Sequence, residues 1–256
     1  MKRIKLIILL LFCTTIALGQ GQKSDKDKKE TPDLPGIILV DFGFNFQKDA
    51  PSEMDINWFK SKSFGIYYMR TFELGKKLTF NPAVGINFEK YGFSNDVTIG
   101  YPTLTLAQEA NPDADPPVFQ APATYGELSV IDLSNGRNVS KSQMAMNYLD
   151  IPLQLRYNFK GNDKKGGMYV AIGCMASLLL ESHTKVKYKE AGRDQTIKRR
   201  DDFQQSTLRY GLQGRFGFGS FNFFYKQYFS NVFNGKGPAG TSDITTSTFG
   251  ISVSGL

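Results

Sequence analysis

The strongest constraint on this chain is an alternation of period two that recurs in eight separate segments, divided by connections that are in turn long and short. In Ile38, Val40, Phe42, Phe44 and Phe46 every second residue is apolar, while Asp41, Gly43 and Asn45 between them are polar or small. Successive side chains of a strand point to opposite faces, so such a segment has one apolar face and one polar face. Over 78–89, Leu78, Phe80, Val84, Ile86 and Phe88 alternate with Thr79, Asn81, Ala83, Gly85, Asn87 and Glu89. Pro82 falls on the apolar face there and has no N–H for a ladder bond, which predicts a bulge or irregular pairing. The clearest case is 148–159, where Leu149, Ile151, Leu153, Leu155, Tyr157 and Phe159 share a face. Weaker versions occupy 170–181, 208–218, 221–229 and 249–253. Segment 64–72 is aromatic but carries Arg70 on its apolar face, which predicts a bulge or an interfacial position.

Each of the eight segments reads as about the 9–11 residues that a tilted strand needs to cross a bilayer. A loop of moderate length at 47–60 is followed by a tight turn at 74–77, then by a span of about fifty residues that includes 93–143. A short polar turn follows at 161–166, then a charged loop at 185–202, a tight turn at 219–220 and a last loop at 234–242. Long and short connections therefore alternate, as in an outer-membrane barrel with short periplasmic turns and longer surface loops. A soluble sandwich or lipocalin-like barrel would have the opposite polarity, with its apolar face as a shared core and its outer face charged. Here the minority face carries Gly, Ala, Ser, Asn and single charges, which suits the narrow interior of eight strands. Asp41, Glu89, Asp150, Arg156, Arg209, Arg215 and Lys226 would meet in that interior as a network of paired charges, because unpaired buried charge is prohibitive. The sequence thus predicts an all-β, eight-stranded antiparallel transmembrane barrel over 36–256. Its termini would both be periplasmic and its interior too full for an open pore.

Composition narrows the remaining choices. Mean hydropathy is −0.30 and no apolar run approaches the roughly 18 residues of a spanning helix. Residues 1–19 read as a secretory signal peptide. Lys2, Arg3 and Lys5 form its basic region, Leu6 to Phe12 its apolar core, and Ala17-Leu18-Gly19 its cleavage site. Residues 20–35, dense in Lys and Asp and ended by Pro32 and Pro35, read as a flexible charged periplasmic leader. Export removes three basic residues and no acidic one, which lowers the net charge from +7 to +4. That charge is too diffuse for nucleic-acid binding. Cys13 leaves with the signal peptide, so Cys174 remains without a partner for an internal disulfide.

The run Tyr148-Leu149-Asp150-Ile151-Pro152-Leu153-Gln154-Leu155-Arg156-Tyr157 resembles the Y-L-x-I-P-L-x-L-x-Y strand of the PorT-like family of outer-membrane β-barrels. Further similarities follow in order. They are the glycine-centred Met168-Tyr169-Val170-Ala171-Ile172-Gly173, the Gly-rich Tyr210-Gly211-Leu212-Gln213-Gly214, and an aromatic strand ending in Tyr225-Lys226-Gln227-Tyr228-Phe229-Ser230-Asn231-Val232. The last is similar to the family's Y-x-x-G-L-x-N-I, with Tyr228-Phe229 where the family has Gly-Leu. The resemblance spans about 37–256. It implies an eight-stranded, non-enzymatic barrel in the outer membrane of a Gram-negative bacterium. It also implies an accessory role in type IX protein secretion, the process in which the founding member is implicated.

The alternative is a small outer-membrane hydrolase, either a lipid A deacylase or a protease, since both chemistries use a histidine base. The chain contains a single histidine, His183, flanked by Ser182 and Thr184, with Asp201 and Asp202 as candidates to orient it. That single histidine removes most His-based metal sites, and no motif asks for a metal or cofactor. Gly211, Gly214, Gly217 and Gly219 suggest a phosphate cradle only superficially, because they open no helix and fit close strand packing. The expected partners are outer-membrane lipid and a protein bound through surface loops or the leader. Within 93–143, Val118, Phe119 and Tyr125 are the apolar anchors among several prolines and acids. A recognition loop, a plug over the mouth and inert shielding are the three readings of that segment.

Overall fold

The computed structural model describes residues 36–101, 128–133, 138–161, 167–190, 193–201, 203–235, 237–240 and 243–255. The expected signal peptide and leader lie outside them. Twelve strands form among these residues: β1 (Ile37–Lys48), β2 (Lys62–Met69), β3 (Phe72–Glu73), β4 (Leu78–Gly92), β5 (Val97–Gly100), β6 (Ser129–Asp132), β7 (Asn138–Asn158), β8 (Met168–Glu190), β9 (Arg193–Arg199), β10 (Leu208–Phe218), β11 (Phe221–Tyr228) and β12 (Thr245–Ser254). Eight of them close an antiparallel ring in the order β1, β2, β4, β7, β8, β10, β11, β12, with β12 pairing back onto β1. Among the described residues helix is confined to two short 3-10 turns, and none is long and apolar enough to cross a membrane.

One path of cross-strand partners traces the closure. From Phe88 of β4 it passes through Phe64, Phe42, Ile251, Phe223, Phe216, Val170 and Tyr157, and re-enters β4 at Leu78. The return lies ten residues below the start, a shear of ten, which tilts eight strands by about 40°. Every residue on this path is apolar, and all of them face outward. The alternating residues face inward, as in β10, where Leu208 is 58% exposed and its neighbour Arg209 is 0%. Lipid, not water, is the solvent in which such a surface is stable.

Local departures have identifiable causes. Between β4 and β7 the ladder is interrupted from Pro82 to Gly85, opposite Pro152, where two prolines lack the N–H that pairing requires. Near Arg70, β2 ends at Met69 and the short β3 resumes at Phe72. The Arg70 N–H donates instead to the Pro82 carbonyl at 3.0 Å. Gly43 and Gly250 leave room for Phe224. A Cβ on Gly250 would lie 2.1 Å from the Phe42 carbonyl oxygen and 2.9 Å from the Phe224 ring.

The largest difference from expectation is strand length. β7 and β8 run for 21 and 23 residues, far more than a crossing needs, and β9 extends the sheet beyond β8. The ends of the presumed 93–143 and 185–202 loops are therefore built from paired strand. On β8 the register with β7 shifts as Asn147 and Tyr148 pair with Glu181 and Leu179, leaving Leu180 as the extra residue. Beyond it the buried set becomes even-numbered: Ser182, Thr184, Val186 and Tyr188.

Candidate functional site

Among the described residues the barrel interior holds six enclosed charged side chains, Asp41, Glu89, Asp150, Arg209, Arg215 and Lys226, each on the face opposite the lipid. Three are acids and three are bases, so this stretch of the interior is charge-balanced. Arg209 donates from Nη2 to both carboxylate oxygens of Glu89 at 2.8 and 2.9 Å, and from Nη1 to Thr246 Oγ1 at 3.2 Å. Its guanidinium carbon lies 3.8 Å from the ring centre of Tyr148 and 4.0 Å from that of Tyr228. Glu89 accepts further bonds from the Tyr91 hydroxyl at 2.9 Å and the Asn87 amide at 3.0 Å. A guanidinium stacked between two rings, with one nitrogen shared by both oxygens of a carboxylate that accepts two further bonds, is among the geometries that make buried charge tolerable.

Closer to the short-turn end, Arg215 grips Asp41 through two bonds of 3.0 and 2.7 Å and also donates to Ser252 Oγ at 2.8 Å. Lys226 lies 3.1 Å from Asp41 Oδ2 and donates to the Tyr67 hydroxyl at 2.8 Å. That hydroxyl donates in turn to Asp150 Oδ2 at 2.9 Å. The Tyr228 hydroxyl, whose ring stacks on Arg209, lies 3.0 Å from Ser177 Oγ, and Ser177 is directly opposite Asp150 in the β7–β8 ladder. Arg156 stands apart. It is half-buried, donates from Nε to Asn158 at 2.8 Å and sits 3.5 Å from the centre of the Tyr169 ring, with no carboxylate partner among the described residues. The structure thus brings six of the seven expected interior charges into two adjoining groups, Arg209 with Glu89 and Arg215 and Lys226 with Asp41 and Asp150, and leaves Arg156 on an aromatic ring.

At the long-loop end the interior becomes apolar. Thirteen buried side chains form one cluster there. The barrel wall contributes Tyr91, Met144, Met146 and Tyr148. Every long connection contributes the rest, including Met54, Phe93, Phe203, Phe233 and Ile244. Backbone bonds brace these loops: Val232 N–H donates to the Ile244 carbonyl within the last connection, and Ser206 N–H from the preceding one donates to the Val232 carbonyl, both at 2.8 Å. Val97, Ile99 and Leu128, from the described ends of the longest connection, belong to the same cluster. Ser142 donates from its hydroxyl to the Val97 carbonyl. The barrel is thus filled by ions across its middle and sealed by side chains at one end.

His183 lies outside the barrel wall. Its Nδ1 is 4.0 Å from Glu181 Oε1, which Arg200 holds at 2.8 Å. Ser182, one residue away on a strand, faces the opposite side and donates to the Asp201 carbonyl at 3.2 Å. Burial lowers the imidazole pKa from 6.5 and the charge of Lys198 lowers it further, against the opposing Glu181. Asp202 lies outside the described residues, as do Val118, Phe119 and Tyr125.

Residues 38–234 match the family described as outer membrane protein beta-barrel domain. The chain belongs to that family. It is therefore a β-barrel of the outer membrane, in keeping with its lipid-facing apolar wall. No curated protein matches the chain. Among solved structures, it is similar to the attachment invasion locus protein Ail of Yersinia pestis, at 12% identity over 86% of this chain and 97% of Ail, with a TM-score of 0.32. Similarity to Neisserial surface protein A is at 10% identity over 86% of this chain and 96% of the other, with a TM-score of 0.33.

The apolar seal is the part of this outer-membrane barrel that sequence reasoning missed. Its loop members sit singly in polar surroundings, as Met54 does between Glu53 and Asp55, and no periodicity marks them. One missed signal was readable. Lys185-Val186-Lys187-Tyr188-Lys189 alternates with period two, but with charge where the lipid-facing residues stood, and so reads as a loop if only apolar-out strands are sought.

Proposed function

We propose that this outer-membrane barrel is a non-enzymatic interaction protein that binds a protein partner through its loop end and conducts nothing. The observation that carries this reading is the double filling of the barrel, by the ion-paired middle and by the apolar seal that every long connection helps to build. A barrel with its mouth packed by its own loops offers a folded platform, whereas lipid covers the wall and the short turns offer little area. The PorT-like motif in β7 supports an accessory role in type IX protein secretion, with residues 1–19 as a cleaved signal peptide and the termini in the periplasm. Val118, Phe119 and Tyr125 are the proposed contact residues, on the sequence grounds that aromatic anchors dominate interface energy.

Deletion of the gene tests the secretion role: cargo proteins should disappear from the culture medium, and unchanged secretion overturns it. Removing 112–125 should leave a folded, heat-modifiable barrel with the same secretion defect. Purified barrel in planar bilayers should give no steady conductance, and a porin-sized current would overturn the closed-barrel reading. Replacing His183 with Ala separates the hydrolase alternative: this reading expects lipid A structure and surface proteolysis to stay unchanged.

A further inference from the structure

The outer wall changes character just above its apolar belt. On β2 and β4, Lys62 and Lys90 are directly opposite one another, two residues above the lipid-facing pair Phe64 and Phe88. On β7 and β8, Lys141 is opposite Lys187, and on β8 and β9, Lys185 is opposite Lys198. Like charges at directly paired positions repel, and a chain that places three such pairs on one face is destabilised by all three. The pairs belong to one patch, because the row from Lys62 and Lys90 continues through Ala145 to His183, whose imidazole feels both Lys185 and Lys198. At Lys141 burial disfavours the charged form, and Lys90, Lys185, Lys187 and Lys60 lie close enough to disfavour it further. None of these lysines has a carboxylate partner among the described residues, and the one acid in the patch, Glu181, is taken by Arg200. At Lys189 the opposite residue is Asp194, an ordinary complementary pair. Direct cross-strand complementation thus occurs at the strand tip, whereas the three lysine pairs nearer the membrane face like charge.

Two residues span about 7 Å along the strand, or about 5 Å along the membrane normal at a tilt of about 40°, so Lys62 and Lys90 stand where the hydrocarbon ends and the headgroups begin. We propose that this outward lysine face, centred on Lys62, Lys90, Lys141, Lys185 and Lys187, binds the phosphate groups of lipid headgroups in the outer leaflet. Phosphate relieves the cross-strand repulsion, and the acyl chains continue down the wall over Phe64 and Phe88. The site rests on the long-loop end facing outward, part of the reading above. Labelling of Lys198→Cys from outside intact cells tests that orientation separately from binding.

The full barrel, refolded in zwitterionic detergent, is titrated by native mass spectrometry with lipid A bearing both phosphates, with the same lipid dephosphorylated, and with inorganic phosphate. Phosphorylated lipid A should bind at least about tenfold more tightly than the dephosphorylated lipid, given what each lysine contributes at an anionic surface. Changing Lys62, Lys90, Lys141, Lys185 and Lys187 to Gln should remove that preference while heat-modifiable mobility is retained. Wild-type protein gives a second readout: its Tm should rise with phosphorylated lipid A and stay unchanged with the dephosphorylated form. Equal binding of the two lipids, or a preference that survives in the Gln variant, would overturn the proposal. Displacement of lipid A by low-millimolar inorganic phosphate would overturn it in favour of a soluble anion. Should the Gln variant fail to refold, the wild-type Tm comparison decides alone.

Discussion

Below Leu180, β8 shows Val170 and Ile172 to the outside and buries Tyr169 and Ala171. Above it, the same strand shows Lys185 and Lys187 and buries Val186 and Tyr188. β7 does likewise, with Leu153 and Leu155 outside low on the strand and Met144 and Met146 buried high on it. Two regions of one sheet therefore follow opposite rules, and the difference locates the change of solvent. In hydrocarbon the outer face must be apolar, and a polar interior then tells the strand which way to face, since a slip of one residue would put Asp41 or Glu89 into lipid. Above the bilayer the outside is water, and the ordinary arrangement of apolar inside and charged outside returns. The ion-paired middle and the apolar seal are the interior counterparts of these two outer surfaces.

Several measurements would break or sharpen this comparison. The largest effect is expected at Glu89. Replacing it with Ala leaves Arg209 enclosed without a counter-charge and should cost about 3–5 kcal/mol in reversible urea unfolding from vesicles. The double change Glu89→Ala with Arg209→Ala should cost less than the sum of the singles. A cost below 1 kcal/mol for Glu89→Ala would mean the pair is hydrated, not enclosed.

Charge on the outer wall should be tolerated in one region and not in the other. Ile172→Arg, in the lipid-facing part of β8, is expected to cost about 2–4 kcal/mol. Lys187→Arg on the same strand should be silent in the same assay. Equal costs would show that the polarity switch does not mark the membrane boundary. Gly250→Ala should cost about 1–3 kcal/mol, because its Cβ has to displace the Phe42 carbonyl or the Phe224 ring.

The smallest effects lie in the lysine patch. With no anion present, Lys187→Gln should leave the Tm unchanged or slightly raised, since it removes a repulsion from Lys141. His183 should titrate below 6.5 by NMR, because burial and then Lys198 disfavour its charged form more than Glu181 favours it. Its folded-state pKa is depressed, so its small contribution to stability is present above 6.5 and is lost as the pH falls through the folded value. Glu181→Gln should lower that pKa further.

The eight segments of the ring and the side each residue takes are local properties, set by a period of two and by apolar character. The sequence alone therefore determined the eight-stranded ring, its wall and the inward position of Asp41, Glu89, Asp150, Arg209, Arg215 and Lys226. Which of these meet was beyond it. Arg215 and Asp41 are 174 residues apart, and Arg209 and Glu89 are 120 apart. Their contact depends on the closing pair β1–β12 and on the shear of ten, which no single segment encodes. Arg156 shows the limit: it has the same residue type and the same inward parity as Arg209, but the shear sets it beside Tyr169 and gives it no carboxylate partner among the described residues. The seal is likewise a tertiary decision. Met54, Phe203 and Phe233 carry no pattern of their own, and only the ring brings the loop ends close enough for burial of apolar surface to outweigh the entropy of ordering them.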